Sequence, residues 1–472
     1  PCLGRCEQGS AALIQRSGDP AARVSLAPAT VAGVEAALHG GAVQVDTAPP
    51  VRSDPAGHRL LRRVGVVDPD SLDSYRAHGG YQMLRRALEL GPGGVIGQVK
   101  SSRLLGRGGA AFPTGAKWEA VAANPVRPHY FVCNADESEP GTFKDRVLLE
   151  ADPFGVLEAL TIAGYATGSE RGYLYLRGEY PEAASRVRQA ISQARQRGLL
   201  GEGIMGTDFN FEIELRVGAG AYIAGEETAL FNSIEGSRPE PRNKPPFPTQ
   251  AGLFGKPTGV NNVETLANVL EILRIGGDAF AQLGTPDSTG TRLFCVSGRV
   301  ERPGLYELEF GVTLRGLLDL AGGVRGGRPL AAVLLGGAAG SFVGPPALDI
   351  PLTFEGVRSI GASLGSGVVL VLDDTVDGRD LVRRIARFFR DESCGQCVPC
   401  RVGTVRQEEL LARLVAGKPN GSVAAELDLL GQLGQVMRDA SICGLGQTAA
   451  TAIQSAAALG LLGGPGAGRV QP

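Results

Sequence analysis

YFVCNADESEPG, residues 130–141, is the stretch of this sequence that decides the fold class. Its first four residues predict a short buried strand, and polar residues follow the strand at once. In α/β domains, ligands bind where polar side chains follow the carboxyl end of a strand. Asn134 offers amide donors and acceptors, while Asp136 and Glu137 can accept from ring N–H or ribose hydroxyl groups. Taken alone, the segment is equally open to interpretation as a capped turn.

Short strand-like and helical segments alternate on both sides of this stretch, from about residue 95 to residue 275. The downstream segments, in order, are Phe154–Ala166 (helix), Gly172–Leu176 (strand), Pro181–Gln196 (helix), Phe209–Val217 (strand) and Glu226–Glu235 (helix). Alternation of this type predicts an α/β domain. Upstream, helices are predicted at Ala22–Leu38 and Tyr81–Leu90, the second ended by the turn residues 91–94.

The rest of the chain has a different character. Residues 290–372 predict a small α+β unit with one short helix and strands at Leu293–Val300, Gly304–Leu308, Leu314–Leu320, Ala332–Leu335 and Val368–Leu372. From about residue 378 the pattern is helical, apart from a cysteine loop. A length of 472 residues agrees with about three units.

Composition excludes several classes of protein. Glycine accounts for 69 of 472 residues, about twice its usual share, but 43% hydrophobic residues are enough for real cores. A net charge of −2 without a basic stripe argues against nucleic acid as a partner. No apolar run reaches the roughly 20 residues of a spanning helix, so we expect no direct membrane insertion and a cytoplasmic location. Because the chain starts with Pro1, we also expect a missing upstream piece.

The cysteines predict an iron–sulfur site. Cys394, Cys397 and Cys400 form a C-x-x-C-x-x-C loop, and Cys443 follows from a separate segment. A tight loop of this kind can supply three thiolates to a [4Fe–4S] cluster, with the fourth coming from elsewhere. Structural zinc is the alternative, but zinc sites usually use two separated pairs.

The remaining cysteines carry weaker signals. Cys133 and Cys295 lie in apolar strand patterns and are interpreted as core residues. Cys2 and Cys6 form a short pair that cannot complete a [2Fe–2S] site by itself, because such a site takes four ligands. The pair is either inert or half of a site whose other half lies upstream.

Two glycine-rich segments precede predicted helices. Residues 106–111, GRGGAA, fit the dinucleotide fingerprint G-x-G-x-x-A, but no apolar strand precedes them, so a standard Rossmann site is rejected. Two interpretations of the segment stay open. Either its bare backbone N–H groups allow the close approach of an anion, aided by the charges of Arg107 and Lys117, or it is a plain turn. The second segment covers residues 218–227. Its Glu226 and Glu227 either stabilise the N-terminus of the following helix or face sugar hydroxyls of a ligand.

Six segments together resemble the flavin subunit of respiratory complex I. They are residues 106–118 (GRGGAAFPTGAKW), 134–146 (NADESEPGTFKDR), 218–230 (GAGAYIAGEETAL), 244–248 (KPPFP), 261–267 (NNVETLA) and 392–401 (ESCGQCVPCR). The same family includes the diaphorase subunits of NAD-linked formate dehydrogenases and hydrogenases. The resemblance covers about residues 75–455.

The resemblance implies a fold and its division into domains. The α/β FMN- and NADH-binding domain, Rossmann-like but non-standard, is expected at 71–285. A β-grasp α+β domain is expected at 286–374 and a C-terminal helical bundle with the [4Fe–4S] cluster at 375–472. Residues 1–70 would be the tail of a thioredoxin-like [2Fe–2S] domain plus a linker.

The resemblance also implies site residues and a mechanism. The flavin site would be lined by Gly106, Arg107, Gly108, Lys117, Asn134, Asp136, Glu137, Tyr222, Gly225, Asn261, Asn262 and Thr265. NADH would be contacted by Phe112, Lys117, Glu139 and Glu227, and the cluster by Cys394, Cys397, Cys400 and Cys443. Hydride would pass between nicotinamide and FMN, and single electrons between FMN and the cluster, with no catalytic acid or base from the protein.

The two ends of the chain favour one branch of this family. Pro1–Cys6 resembles the end of a thioredoxin-like [2Fe–2S] domain, and RDASICGLGQ at 438–447 resembles formate dehydrogenase and hydrogenase subunits. We therefore expect the β (diaphorase) subunit of an NAD-dependent formate dehydrogenase, with complex I and hydrogenase subunits as alternatives. Its partners would be a catalytic molybdenum or tungsten subunit and a small [2Fe–2S] thioredoxin-like subunit or domain. A non-redox, zinc-stabilised interaction module is the alternative from a different class.

Overall fold

The computed structural model describes residues 2–15, 23–39 and 50–462. Its strands are β1 (Ala12–Gln15), β2 (Arg23–Leu26), β3 (Tyr130–Ala135), β4 (Arg171–Leu176), β5 (Glu212–Val217), β6 (Thr258–Asn262), β7 (Thr291–Gly298), β8 (Gly304–Glu309), β9 (Leu330–Leu335), β10 (Ser341–Val343) and β11 (Val368–Asp373). Parts of the predicted N-terminal tail and linker, and the last ten residues, lie outside the described ranges.

The α-helices follow the predicted order for most of the chain. They are α1 (Val31–Leu38), α2 (Leu72–Ala77), α3 (Gln82–Ser101), α4 (Thr114–Ala122), α5 (Lys144–Ala151), α6 (Pro153–Thr167), α7 (Pro181–Gln196), α8 (Glu227–Ile234), α9 (Pro248–Ala251), α10 (Val263–Ile275), α11 (Gly277–Phe280), α12 (Leu314–Leu320), α13 (Phe354–Ser359), α14 (Gly378–Glu392), α15 (Val398–Val415), α16 (Val423–Ala440), α17 (Gly444–Thr448) and α18 (Thr451–Ala458). Within the described part of the chain, no helix is both long and apolar enough to cross a membrane.

The α/β domain is built on a four-stranded parallel sheet in the order β5-β4-β3-β6. Helix α6 packs against β3 and β4 of this sheet and against helices α3, α7 and α10, and it is therefore buried along nearly its whole length. In the register of β3 and β6, Asn134 lies level with Asn262. Because both strands end at this level, their polar side chains meet at one edge of the sheet.

The second domain is a mixed five-stranded sheet in the order β10-β9-β11-β7-β8, with α12 packed in its core. The prediction of a strand at Leu314–Leu320 was wrong, because these residues form α12, capped by the Thr313 hydroxyl. Leu314, Leu317 and Leu318 are buried at the i, i+3, i+4 spacing of a helix face. A short apolar run does not distinguish strand from helix by its period alone.

Two predictions near the N-terminus also need correction. Ala22–Leu38 is not one helix, because β2 precedes α1 and pairs with β1. Helical structure is broken at Gly91, where φ is 71°, as predicted, but a second helical segment starts at Pro92 instead of a turn. Proline is favoured in the first turn of a helix, where its missing N–H group costs nothing.

The C-terminal part consists of helices α14–α18, and their core also includes side chains from β9 and β10 of the second domain. The predicted order of an α/β domain, a small α+β domain and a helical domain is therefore confirmed. The predicted domain boundaries stay predictions.

Glu307 on β8 connects the segment before α2 to the second domain. Its carboxylate accepts hydrogen bonds from the backbone N–H groups of Arg59, Leu60 and Leu61, at 2.9–3.1 Å. The Thr291 hydroxyl also donates to it, at 2.8 Å. Because these groups are almost all buried, removing the carboxylate leaves several donors without a partner.

We expect Glu307→Ala to lower the midpoint of thermal unfolding by about 5 °C or more. Glu309→Ala is the matched control, because Glu309 lies on the same strand but is half exposed and forms a surface ion pair with Arg59. The control should change the midpoint by less than about 2 °C. Equal midpoints for the two variants, measured by circular dichroism, would contradict the structural role of Glu307.

Candidate functional site

The site lies at the edge of the sheet where β3 and β6 end. Two adjoining cavities of about 560 and 660 Å³ open there, and both are lined by Gly108, Asn134, Gly225 and Asn262. The Asn134 amide donates to the Gly225 carbonyl at 2.8 Å and thereby fixes the glycine segment beside the strand. Together the cavities form one cleft, called the cofactor cleft below.

The structure brings nearly all predicted cofactor residues to this cleft. Those that line it are Gly106, Gly108, Phe112, Lys117, Asn134, Asp136, Glu137, Glu139, Tyr222, Gly225, Glu227, Asn261, Asn262 and Thr265. Arg107 is the exception, because its side chain is fully buried and lies over the Phe310 ring in the second domain. Only its backbone faces the site, and its N–H donates to the Thr265 hydroxyl at 2.8 Å.

The cleft walls fit a flat cofactor because they contain bare backbone. A Cβ added at Gly108 would lie 3.1 Å from Asn262 Cβ, and one at Gly225 would lie 3.2 Å from Asp136 Oδ2. Gly109 has a φ of 122°, which side-chain-bearing residues rarely adopt. A side chain at Gly108 or Gly225 would crowd these neighbouring residues, so the wall is bare backbone at both positions.

The acidic residues of the cleft already have protein partners. The Glu137 carboxylate accepts from the N–H groups of Asp145 and Arg146, at 2.8 and 2.9 Å, and so caps α5. Burial raises the pKa of Glu137 to about 8 and that of Asp136 to about 7. These two residues therefore carry less negative charge at neutral pH than their sequence indicates, which reduces repulsion of an anionic cofactor.

Glu139 joins three parts of the chain. Its carboxylate accepts from the Tyr222 hydroxyl at 2.6 Å and from the Ala339 N–H group at 2.9 Å. The Tyr222 N–H group donates in turn to Glu392, which ends α14 just before the cysteine loop. The cleft is thus connected by hydrogen bonds both to the second domain and to the helical domain.

The outer end of the cleft combines exposed aromatic rings with paired charges. Phe112 and Phe247 line it, and each is 53% exposed. Lys244 binds Glu227 at 2.7 Å, and Lys117 lies 3.7 Å from Glu227 and 5.7 Å from the centre of the Phe112 ring. Such an opening suits a ligand that carries both an aromatic base and phosphates.

Sequence reasoning missed several residues that line the cleft. They are Lys144, Asp145, Lys244 and Phe247. Lys144 is almost fully buried and pairs with Asp145 at 2.7 Å and with Glu264 at 3.1 Å. All four missed residues lie inside two of the segments that carry the family resemblance, and that position was the available signal.

The four predicted cluster cysteines line a single small cavity. Cys397 and Cys443 stand immediately before α15 and α17, and Cys400 lies in the first turn of α15. Helices α15 and α16 bring them together by packing against each other as a hairpin. At Gly446, an added Cβ would lie 2.8 Å from Cys400 Cβ, so only glycine fits there.

The donor set fits an iron–sulfur cluster better than a single ion. Zinc–thiolate bonds of about 2.3 Å would place the four sulfurs close together. Among the described residues, no group of three or more His, Cys, Asp or Glu side chains is arranged to hold one metal ion. A [4Fe–4S] cluster holds its thiolates further apart, one on each iron.

The cysteine cavity and the cofactor cleft share a wall. Ile223 and Leu445 line both. Ile223 follows Tyr222 in the glycine segment, and Leu445 is two residues beyond Cys443. The two sites are therefore separated by the thickness of one layer of side chains.

Cys2 and Cys6 lie on the α/β domain. Their sulfurs are 3.5 Å apart, and the Cys2 carbonyl accepts a hydrogen bond from Arg177. Arg146 holds the same segment by donating to the Gly4 carbonyl at 2.9 Å. The contribution of this pair to a [2Fe–2S] site stays a prediction.

Comparisons with known proteins agree with this geometry. Residues 99–271 match the model of the Nuo51 FMN-binding domain, 293–337 that of the SLBB domain, and 380–459 that of the NADH-ubiquinone oxidoreductase-F iron-sulfur binding region. The NADP-reducing hydrogenase subunit HndC of Solidesulfovibrio fructosivorans is 45% identical over 82% of this chain and 78% of its own length. The chain belongs to the family of complex I flavin subunits.

Further relatives come from the same family. An NADH-quinone oxidoreductase subunit of Rhizobium meliloti is 45% identical over 84% of this chain and 94% of its own length. The crystal structure of an NAD+-reducing [NiFe]-hydrogenase in the H2-reduced state aligns with a TM-score of 0.81 and 34% identity, covering 97% of this chain and 74% of that chain. The predicted fold class is thus confirmed, as are the predicted cofactors FMN, [4Fe–4S] and NAD(H).

We expect Cys443→Ala to lower the iron and acid-labile sulfide content of the purified chain and its broad visible absorbance. FMN content should be retained, because the cofactor cleft does not use this thiolate. Cys133→Ala is the control, since Cys133 is a core residue of β3, and its iron content should equal that of the wild type. Full iron content in Cys443→Ala would show that another residue is the fourth ligand.

Proposed function

We propose that this chain is the diaphorase subunit of a multisubunit oxidoreductase, passing electrons between nicotinamide, FMN, the [4Fe–4S] cluster and a partner chain. The shared wall of Ile223 and Leu445 is the observation that carries this proposal. A hydride acceptor in the cleft and a one-electron carrier in the cysteine cavity would lie within short electron-transfer range. We further propose the domain boundaries 71–285, 286–374 and 375–472 for the three parts of this relay, and a cytoplasmic location.

FMN, when bound, supplies the conversion between hydride transfer and single-electron transfer. The protein's own contribution is position and environment. Asn134 and the glycine segments would hold the flavin ring, and Asn262 and Thr265 would hold the phosphate end at the N-terminus of α10. The buried Glu137 and Asp136 would be hydrogen-bonding groups of low charge rather than a catalytic acid or base.

The nucleotide would enter through the outer end of the cleft. Phe112 and Phe247 offer two exposed aromatic faces for the adenine ring, and the ammonium groups of Lys117 and Lys244 lie near a diphosphate path. Glu227, held by both lysines, can accept hydrogen bonds from ribose hydroxyls. Glu139 would bind nicotinamide only indirectly, because its carboxylate already bonds to Tyr222 and Ala339.

Electrons would leave the chain at an apolar surface beside the cluster. Val398 and Val402 are 70% and 48% exposed and lie one turn apart on α15, directly after Cys397. Ile442, 38% exposed, lines the cysteine cavity from the other side. Exposed apolar residues around a redox centre are typical of a surface covered by a partner.

For the identity of that partner, we propose a catalytic molybdenum or tungsten chain of a formate dehydrogenase, acting with a small [2Fe–2S] thioredoxin-like chain. The segment RDASICGLGQ at 438–447 supports this choice. Hydrogenase and NADH-quinone oxidoreductase subunits among the relatives support the alternatives. Co-purification from the source cell, followed by assay of NAD+ reduction with formate and with H2 and of quinone reduction with NADH, distinguishes them.

The activity itself is tested on the purified chain. We expect flavin and iron–sulfur absorbance and NADH-dependent reduction of ferricyanide. A colourless protein that contains zinc and lacks this activity would support a zinc-stabilised interaction module instead.

We expect Phe247→Ala to raise the KM for NADH about tenfold while kcat and FMN content stay nearly unchanged. Loss of a stacked base weakens ground-state and transition-state binding alike, by about 1–3 kcal/mol. Val126→Ala is the control, because Val126 is similarly exposed but does not line the cleft. An unchanged KM in steady-state ferricyanide assays would exclude Phe247 from the nucleotide site.

A further inference from the structure

Behind the cofactor cleft are two buried arginines that have no counter-ion among the described residues. Arg107 belongs to the glycine segment of the α/β domain, and Arg292 belongs to β7 of the second domain. Both are 0% exposed. In the part of the chain that the structure describes, neither guanidinium has a carboxylate within ion-pair distance. Burying a charge without a partner costs free energy of folding, and burying two like charges near each other costs more.

Both guanidinium groups are also short of hydrogen-bond acceptors. Arg107 donates to the Thr289 carbonyl at 2.6 Å, and Arg292 donates to the Gly365 carbonyl at 2.5 Å. The Nε and Nη1 atoms of each find no acceptor among the described residues. Both groups lie within 6 Å of the centre of the Phe354 ring, which compensates a cation only in part.

The neighbouring carboxylates supply only part of the missing charge. Glu264 and Asp145 already pair with the buried ammonium of Lys144. Burial and the nearby Arg292 lower the pKa of Arg107 to about 9, although the Glu264 carboxylate acts in the opposite direction. At neutral pH this junction between the two domains therefore contains surplus positive charge.

The surplus charge lies directly behind the walls of the cleft. Arg107 stands between Gly106 and Gly108, which both line it, and its N–H group binds Thr265 in the first turn of α10. Gly365, whose carbonyl binds Arg292, lines the cleft from the second domain. An anion bound at the N-terminus of α10 would thus face both arginines through a thin layer of backbone.

We propose that Arg107 and Arg292 form a cationic pair across the two domains that is compensated by the dianionic phosphate of FMN. They are positioning residues, because they act through the glycine segment and the loop at Gly365 rather than by facing the cleft. The second domain thereby takes part in flavin selection, favouring FMN over riboflavin. This inference rests on the proposed function and extends it to a choice between flavins.

The test compares FMN with riboflavin on the full-length, flavin-free chain. Flavin fluorescence quenching gives the Kd of each ligand for the wild type and for Arg292→Gln, which keeps a donor but loses the charge. We expect the Kd for FMN to rise about tenfold or more and the Kd for riboflavin to stay the same. Arg292→Lys should restore most of the FMN affinity. Arg299→Gln is the control, because Arg299 follows the same strand and is half exposed.

Several outcomes would contradict the proposed compensation of the two arginines by the FMN phosphate. Equal losses for FMN and riboflavin would show a merely structural role, and an unchanged FMN affinity would show that other groups compensate the charge. If Arg292→Gln does not fold, Arg107→Gln is measured instead, because either substitution is expected to weaken the binding of FMN but not of riboflavin. A wild type that binds neither flavin would instead contradict the proposed function itself.

Discussion

The buried carboxylate of Glu139 is the interaction on which the arrangement of domains around the cleft depends. Burial raises its pKa, and hydrogen bonds from Tyr222 and from the Ala339 N–H group offset the cost. Gly337 must lack a side chain, since an added Cβ would lie 2.5 Å from Glu139 Cγ. This close contact fixes the second domain against the inner side of the cleft.

The same contact relates the cleft to the cluster. Tyr222 is held by Glu139 through its hydroxyl and by Glu392 through its backbone N–H group. Ile223, the next residue, then forms the wall between the cleft and the cysteine cavity. A shift of either domain would change the thickness of that wall. Under the proposed function, the hydrogen bonds of Tyr222 would therefore fix the distance over which electrons pass.

Much of this could be predicted from sequence where local chemistry decides the structure. The strand at 130–133, helix α7 and the cysteine loop follow from period, caps and spacing. Leu314–Leu320 could not be predicted in this way, because seven residues with four leucines fit a buried strand or a buried helix equally. These residues form a helix because their leucines pack against the five-stranded sheet.

Arg107 shows that the backbone of a predicted site residue can line a cleft while its side chain points elsewhere. The glycine segment approaches the cleft with its backbone, so its one long side chain has to point away from the cleft, into the second domain. Under the proposal above, its positive charge would act on the flavin from behind this wall. A motif specifies which backbone approaches a ligand, whereas the direction of each side chain depends on the domain that packs behind it.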